Sequence, residues 1–179
     1  PMIGDRDILK RAWRLAGNEL MKMIEKGEKV VFLSQGDISF FSTGSYLSKE
    51  FEKYHPDCVL NLIPGVTSFS SAAAESKLPL ALQTEQLLVS PVPESNNELK
   101  IILLEAVSKN RVVVLLKLGK KWEWVKPLLE ELDLIKKSIF AERVGLSDQQ
   151  IIRASDLPSG TRPYFSLLLI RQSWPSIMP

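Results

Sequence analysis

The 179 residues are 45% apolar and 25% charged, a globular composition with length for one domain or two small lobes around a packed core, which argues against disorder. Twenty-three Lys and Arg against twenty-one Asp and Glu leave a formal charge of +2, short of the basic stripe that a dedicated nucleic-acid binder needs, so no nucleic-acid partner is expected. The single Cys58 excludes an internal disulfide framework, and with the single His55 it leaves no His/Cys set for zinc, so no metal site is expected. A reduced, cytoplasmic setting fits, and neither a signal-peptide pattern nor an apolar run of membrane-spanning length is present, so no membrane partner is expected.

From Asp5 the residues Leu9, Trp13, Ala16, Leu20, Met23 and Ile24 recur at three- and four-residue steps, and Gly27 closes an amphipathic helix. Residues 30–33, VVFL, read as a buried strand, and a helix is expected over residues 42–54. A second buried strand is expected at residues 58–63, ended by Pro64-Gly65, with a Ser/Thr-capped, Ala-rich helix after it. A strand at residues 86–90 and a helix at 97–107, with Leu99, Ile102, Leu103 and Ala106 inward, come next. The run RVVVLLKLG is a strongly apolar strand, followed by a helix at 122–132 and strands at 137–143, 149–153 and 164–171. The rhythm breaks around residues 78–83. The expected fold class is therefore α/β with two lobes: residues 1–82 with a mostly parallel sheet, and residues 83–179 with a mixed sheet.

In open α/β sheets, ligands sit beyond the carboxyl ends of the strands, and two sharp loops occupy that position here. Gly36-Asp37-Ile38-Ser39 offers close backbone approach and a carboxylate able to accept from ribose hydroxyls or an ammonium group. Pro64-Gly65-Val66-Thr67-Ser68 offers hydroxyls and backbone N–H groups at a helix start. Taken singly, each loop is equally an ordinary turn or N-cap, and LLKLG is equally a core strand.

Taken together, GDISFFST (36–43), IPGVTSFSSAAA (63–74), LLVSPVPES (87–95), VLLKLGK (114–120) and AERVGLSDQQI (141–151) resemble, in that order, the motifs of the tetrapyrrole methylase family, and PMIGDRDILKRAW resembles the segment before its Gly-Asp motif. The resemblance is strongest to the branch that methylates C-20 of precorrin-2 in the corrin pathway. It implies a two-lobed fold, a homodimer, S-adenosylmethionine folded into the cleft between the lobes, and a tetrapyrrole substrate above it. Carried over by motif, the cofactor-binding positions are Gly36, Asp37, Phe40, Thr67, Ser68, Leu118 and Val144. The resemblance assigns no catalytic side chain, because in-line methyl transfer needs alignment and exclusion of water more than an enzyme nucleophile.

Ile38 and Phe41 stand where the family has Pro and Tyr, and the chain begins after the first strand and Gly-rich loop of family members. Weak cofactor binding by the chain on its own is the corresponding expectation. The alternative readings are another family member, acting on another tetrapyrrole or on ribosomal RNA, and a truncated non-catalytic remnant; the weak net basicity disfavours RNA. Arg6, Arg14, Lys117, Lys120, Arg143 and Arg162 are available for the substrate's carboxylate arms, with Lys117 the most suggestive because it interrupts an apolar strand.

Overall fold

The Asp5 carboxylate accepts from the Asp7 and Ile8 N–H groups and so caps a 20-residue helix, α1 (Arg6–Glu25), where the apolar spacing predicts one. The computed structural model describes residues 5–175; the first four residues of the PMIGDRDILKRAW segment lie outside the described residues. Gly27, at a φ of 81°, ends α1, with the Glu28 N–H returning to the Met23 carbonyl. The second helix, α2 (Thr43–Tyr54), is capped by Ser42, whose Oγ accepts from the Gly44 N–H at 3.1 Å. The two helices pack on each other: Gly17 lets Glu50 and Phe51 approach, Trp13 stacks on Tyr46 with ring centroids 5.7 Å apart, and Arg14 sits between Glu50 and the Tyr54 ring.

The two strands expected in this part of the chain do not form. Residues 30–33 and 59–63 lie outside any helix or ladder, and apart from the half-buried Val30 their side chains face solvent: Val31 is 78% exposed, Leu33 86%, Val59 86% and Ile63 80%. A β-branched apolar run becomes a strand only where a neighbour accepts and donates its backbone hydrogen bonds, and the described residues of this part supply no such neighbour. The mostly parallel sheet expected of the first lobe is accordingly absent among the described residues.

The chain divides into two compact units, Pro1–Thr67 and Ser68–Pro179. The sequence reading places the lobe boundary after residue 82. In the structure the short helix α3 (Ser68–Glu75) packs with its Phe69, Ala72 and Ala73 against Val114, Leu167 and Leu169, and so belongs with the second unit.

The second unit holds a five-stranded sheet in the order β1 (Gln86–Pro91), β2 (Arg111–Leu116), β5 (Ser166–Ile170), β3 (Ser138–Glu142), β4 (Gln150–Arg153). β1 and β2 are parallel and the other pairs antiparallel, which is the mixed sheet that the clustered strands predict. Side chains alternate between two cores. Val113, Leu115, Leu168 and Ile170 meet helices α4 (Asn96–Ser108) and α5 (Trp122–Glu131), whereas Val114, Leu116, Leu167 and Leu169 meet α3. Cover on both faces explains the unbroken apolar run of β2. Ser95 caps α4 by accepting from the Glu98 N–H, and Leu99, Leu103 and Ala106 are buried as their spacing predicts, with Ile102 only half-buried. The carboxyl ends of β1, β2 and β3 lie along one edge of the sheet with the amino ends of β4 and β5, and the loops that leave this edge carry the second-unit motifs.

Candidate functional site

In the first unit, the loop after residues 30–33 is built around Asp37. Its Oδ1 accepts from the Ser39 N–H at 2.8 Å and from the Ser39 hydroxyl, and its Oδ2 accepts from the Gly65 N–H at 2.9 Å. One carboxylate thus turns its own loop and ties it to the loop 28 residues further on. These bonds, the Ser39 hydroxyl foremost, hold the Asp37 carboxyl below the usual carboxylate range. Gly65 is required where it is, because a Cβ there would fall onto the Gly36 carbonyl oxygen. Gly36 itself has a φ of 74°.

The rest of the loop is equally constrained. The Ser34 and Ser42 hydroxyls are 2.6 Å apart, the Ser45 hydroxyl donates to the Ile38 carbonyl, and a Cβ on Gly44 would lie 2.7 Å from Ile38 Cγ1. Ile38, where the family has Pro, is therefore seated on α2. Phe40 and Phe41 pack edge to face with centroids 5.0 Å apart and both rings are exposed. The structure thus brings Gly36, Asp37 and Phe40 into one loop that is joined to the loop leading to Thr67; Ser68 opens α3 in the second unit. The Gly65 N–H, which the sequence offers as a donor for a ligand, is used within the protein.

In the second unit, Leu118 and Val144 stand on the two sides of the start of β5. The Leu118 N–H donates to the Ser166 carbonyl, the Gly119 N–H to the Ser166 hydroxyl, and the Arg143 N–H to the Phe165 carbonyl. The Leu118 side chain is buried among Val92, Leu99 and Trp122, and Val144 packs against the α3 side of the sheet. Both turns use left-handed backbone: Lys117 and Gly119 around Leu118, Arg143 and Gly145 around Val144. Sequence reasoning placed Ser39 in the candidate loop without giving its hydroxyl a role, and it passed over Ser42 and Ser166. Only Ser39 had a readable signal, a hydroxyl two residues after an Asp that starts a turn.

Residues 1–157 match the family model of the Tetrapyrrole (Corrin/Porphyrin) Methylases. The chain belongs to the tetrapyrrole methylase family. It is 28% identical over 176 residues to the cobalt-precorrin-2 C(20)-methyltransferase of Salmonella typhimurium, covering 97% of this chain and 71% of that protein. It is 29% identical over 147 residues to the cobalamin biosynthesis protein CobIJ of Mycobacterium tuberculosis strain H37Rv, covering 82% of this chain and 28% of that protein. Among solved structures, the cobalt precorrin-4 methyltransferase CbiF superposes with a TM-score of 0.64 at 17% identity, over 87% of this chain and 69% of that one. The methyltransferase CobJ gives 0.61 at 20% identity, over 86% and 69%. At those identities the two structures support the tetrapyrrole methylase fold and nothing narrower. Among the described residues, no helix is long and apolar enough to cross a membrane.

Proposed function

We propose that this tetrapyrrole methylase is an S-adenosylmethionine-dependent C-methyltransferase acting on C-20 of precorrin-2 or its cobalt-containing counterpart in cobalamin biosynthesis. The observation that carries the reading is the alignment with the Salmonella C(20)-methyltransferase, which runs along 97% of the chain. Assembly as a homodimer belongs to the same reading.

The residues of the two loops have the chemistry that the methyl donor requires. A carboxylate offers about four acceptor positions. Ser39 takes two at Asp37 and Gly65 a third, so one position on Oδ2 can still meet a hydroxyl or ammonium donor. Asp37 is anionic at neutral pH, since its pKa is lowered. Phe40 offers an exposed ring, and Thr67 and Ser68 offer hydroxyls. Gly36, Asp37, Phe40, Thr67, Ser68, Leu118 and Val144 are the residues we assign to the donor. S-adenosylmethionine supplies an electrophilic sulfonium methyl when bound. The chain's part is to hold and align: Asp37 fixes the two loops and accepts from the donor, Phe40 offers it an apolar ring, and the buried Leu118 sets the height of its loop on the sheet.

The test is calorimetric titration of the full chain with S-adenosylmethionine, beside Asp37→Ala, and transfer from the ¹³C-methyl donor to precorrin-2 read by NMR. Weak but saturable binding that is abolished in Asp37→Ala, with slow labelling at C-20, is expected. Absence of donor binding by the unaltered chain, or label at another carbon, overturns the reading.

A further inference from the structure

Seven described non-glycine residues have left-handed backbone: Phe41, Lys77, Gln83, Asn110, Lys117, Asp133 and Arg143. Lys77, Asn110 and Asp133 follow the ends of α3, α4 and α5, where a left-handed residue is the ordinary way to close a helix. Lys117 and Arg143 differ: each is the first residue after a strand, β2 and β3 respectively, at the same edge of the sheet. Glycine adopts that conformation without cost, and a long side chain does not. A basic residue in a costly conformation at both exits points to work done by the two side chains.

Their placement says what work. β5 runs between β2 and β3, with Leu116 opposite Leu167 on one side and Glu142 opposite Ser166 on the other. Lys117 and Arg143 therefore flank the residues that enter β5, separated by two strand spacings, or about 9.5 Å. Those residues are Tyr164 and Phe165, an edge-to-face pair with centroids 5.5 Å apart and both rings exposed. Lys117 Nζ lies 6.0 Å from the Tyr164 ring centroid. Arg143 meets Asp148 at 2.6 Å through Nε, yet its side chain is 41% exposed. Glu142 and Asp148 are the acidic groups nearby, and Arg143 is raised in pKa chiefly by its bond to Asp148.

What sets Lys117 and Arg143 apart from the other basic candidates is the left-handed backbone at the two strand ends, not freedom from partners, since Arg143 is itself paired with Asp148. Arg14 is held by Glu50 and the Tyr54 ring, Arg162 donates to the Pro158 carbonyl, and Lys121 beside Lys120 donates to the Val92 carbonyl and to Glu94. Exposed rings between two cations fit a broad, partly apolar ligand with acid groups on its rim.

We infer that Lys117 and Arg143, on either side of Tyr164-Phe165, form a carboxylate-recognition subsite that holds two acid arms of the macrocyclic substrate and sets substrate specificity. The inference rests on the tetrapyrrole reading above, and its test separates the two. Lys117→Gly and Arg143→Gly each remove a cation and relieve the backbone. A merely structural residue would lose stability on truncation. A residue kept for its charge should lose ligand affinity while the melting temperature holds or rises.

The full chain and both variants are titrated with S-adenosylmethionine, with uroporphyrin III as a tetrapyrrole carrying free acid arms, and with its fully esterified form. Each variant should keep its donor affinity and its melting temperature, bind the acid about tenfold more weakly than the unaltered chain, and bind the ester as the unaltered chain does. Equal affinity of unaltered chain and variants for the acid, an equal loss for acid and ester, or no binding of the acid by the unaltered chain overturns the subsite. Failure of the unaltered chain to bind the donor overturns the methyltransferase reading instead.

Discussion

Asp37 is a small carboxylate that organises far more chain than its size suggests, because three protein donors converge on it. Those bonds favour the charged form, so its folded pKa lies below the unfolded value. Any stability it lends is therefore full above the ordinary aspartate range, near about 3.9, and is lost as pH falls through the lower folded value. The Gly65 amide resonance should report this directly. Its shift should follow a titration with a midpoint below that ordinary value and should become flat in Asp37→Asn; a midpoint at or above it would show that the Asp37–Gly65 bond does not form in solution. The acid itself was legible in the sequence as a Gly-Asp that follows an apolar run. Its partners were not, because the bond to Gly65 joins residues 28 positions apart and follows from where the second loop passes.

The strands and helices of the second unit owe their positions to a few fixed points, and Arg171 is a buried charged one. Its Nη2 donates to both oxygens of Glu85 at 2.8 and 2.6 Å, and its Nη1 donates to the Pro79 carbonyl at 2.9 Å. The side chains are 1% and 2% exposed. Glu85 also accepts from the Leu82 N–H, so the pair ties the connection between α3 and β1 to the end of β5. Arg171→Met leaves an unpaired buried carboxylate and should cost about 3–5 kcal/mol in denaturant unfolding of the full chain, whereas Arg171→Met with Glu85→Leu should recover most of that loss. A double variant no more stable than the single one would show that the pair does more than neutralise itself.

Nothing in the residue pattern announced this pair, since an Arg after a strand and a Glu before one are both ordinary surface residues. The strands were another matter: β2 was readable because burial on both faces leaves an unbroken apolar run. The same signal misled at residues 30–33 and 59–63. Apolar β-branched composition is a property of the run, while a ladder is a property of its neighbours, and the sequence displays only the first.

The two units of the chain are consequently unlike. The second has its apolar residues in two cores around a sheet, whereas among the described residues of the first the buried apolar side chains are Leu47 and Phe51 of α2. The uncovered runs have a colloidal consequence. Residues 30–35, VVFLSQ, and 58–63, CVLNLI, each form a six-residue window rich in strand formers, free of charge and free of proline, which is the composition that stacks into cross-β fibrils when it is left accessible. Concentrated samples should therefore gain thioflavin fluorescence with a lag that shortens as protein is added. Val31→Lys with Val59→Lys should lengthen that lag severalfold without lowering the melting temperature, because both side chains are exposed and a charge in each window opposes stacking. An unchanged lag would move the origin of self-association to some other surface. The runs that lack a partner strand thus set a ceiling on the concentration at which this chain can be kept as separate molecules.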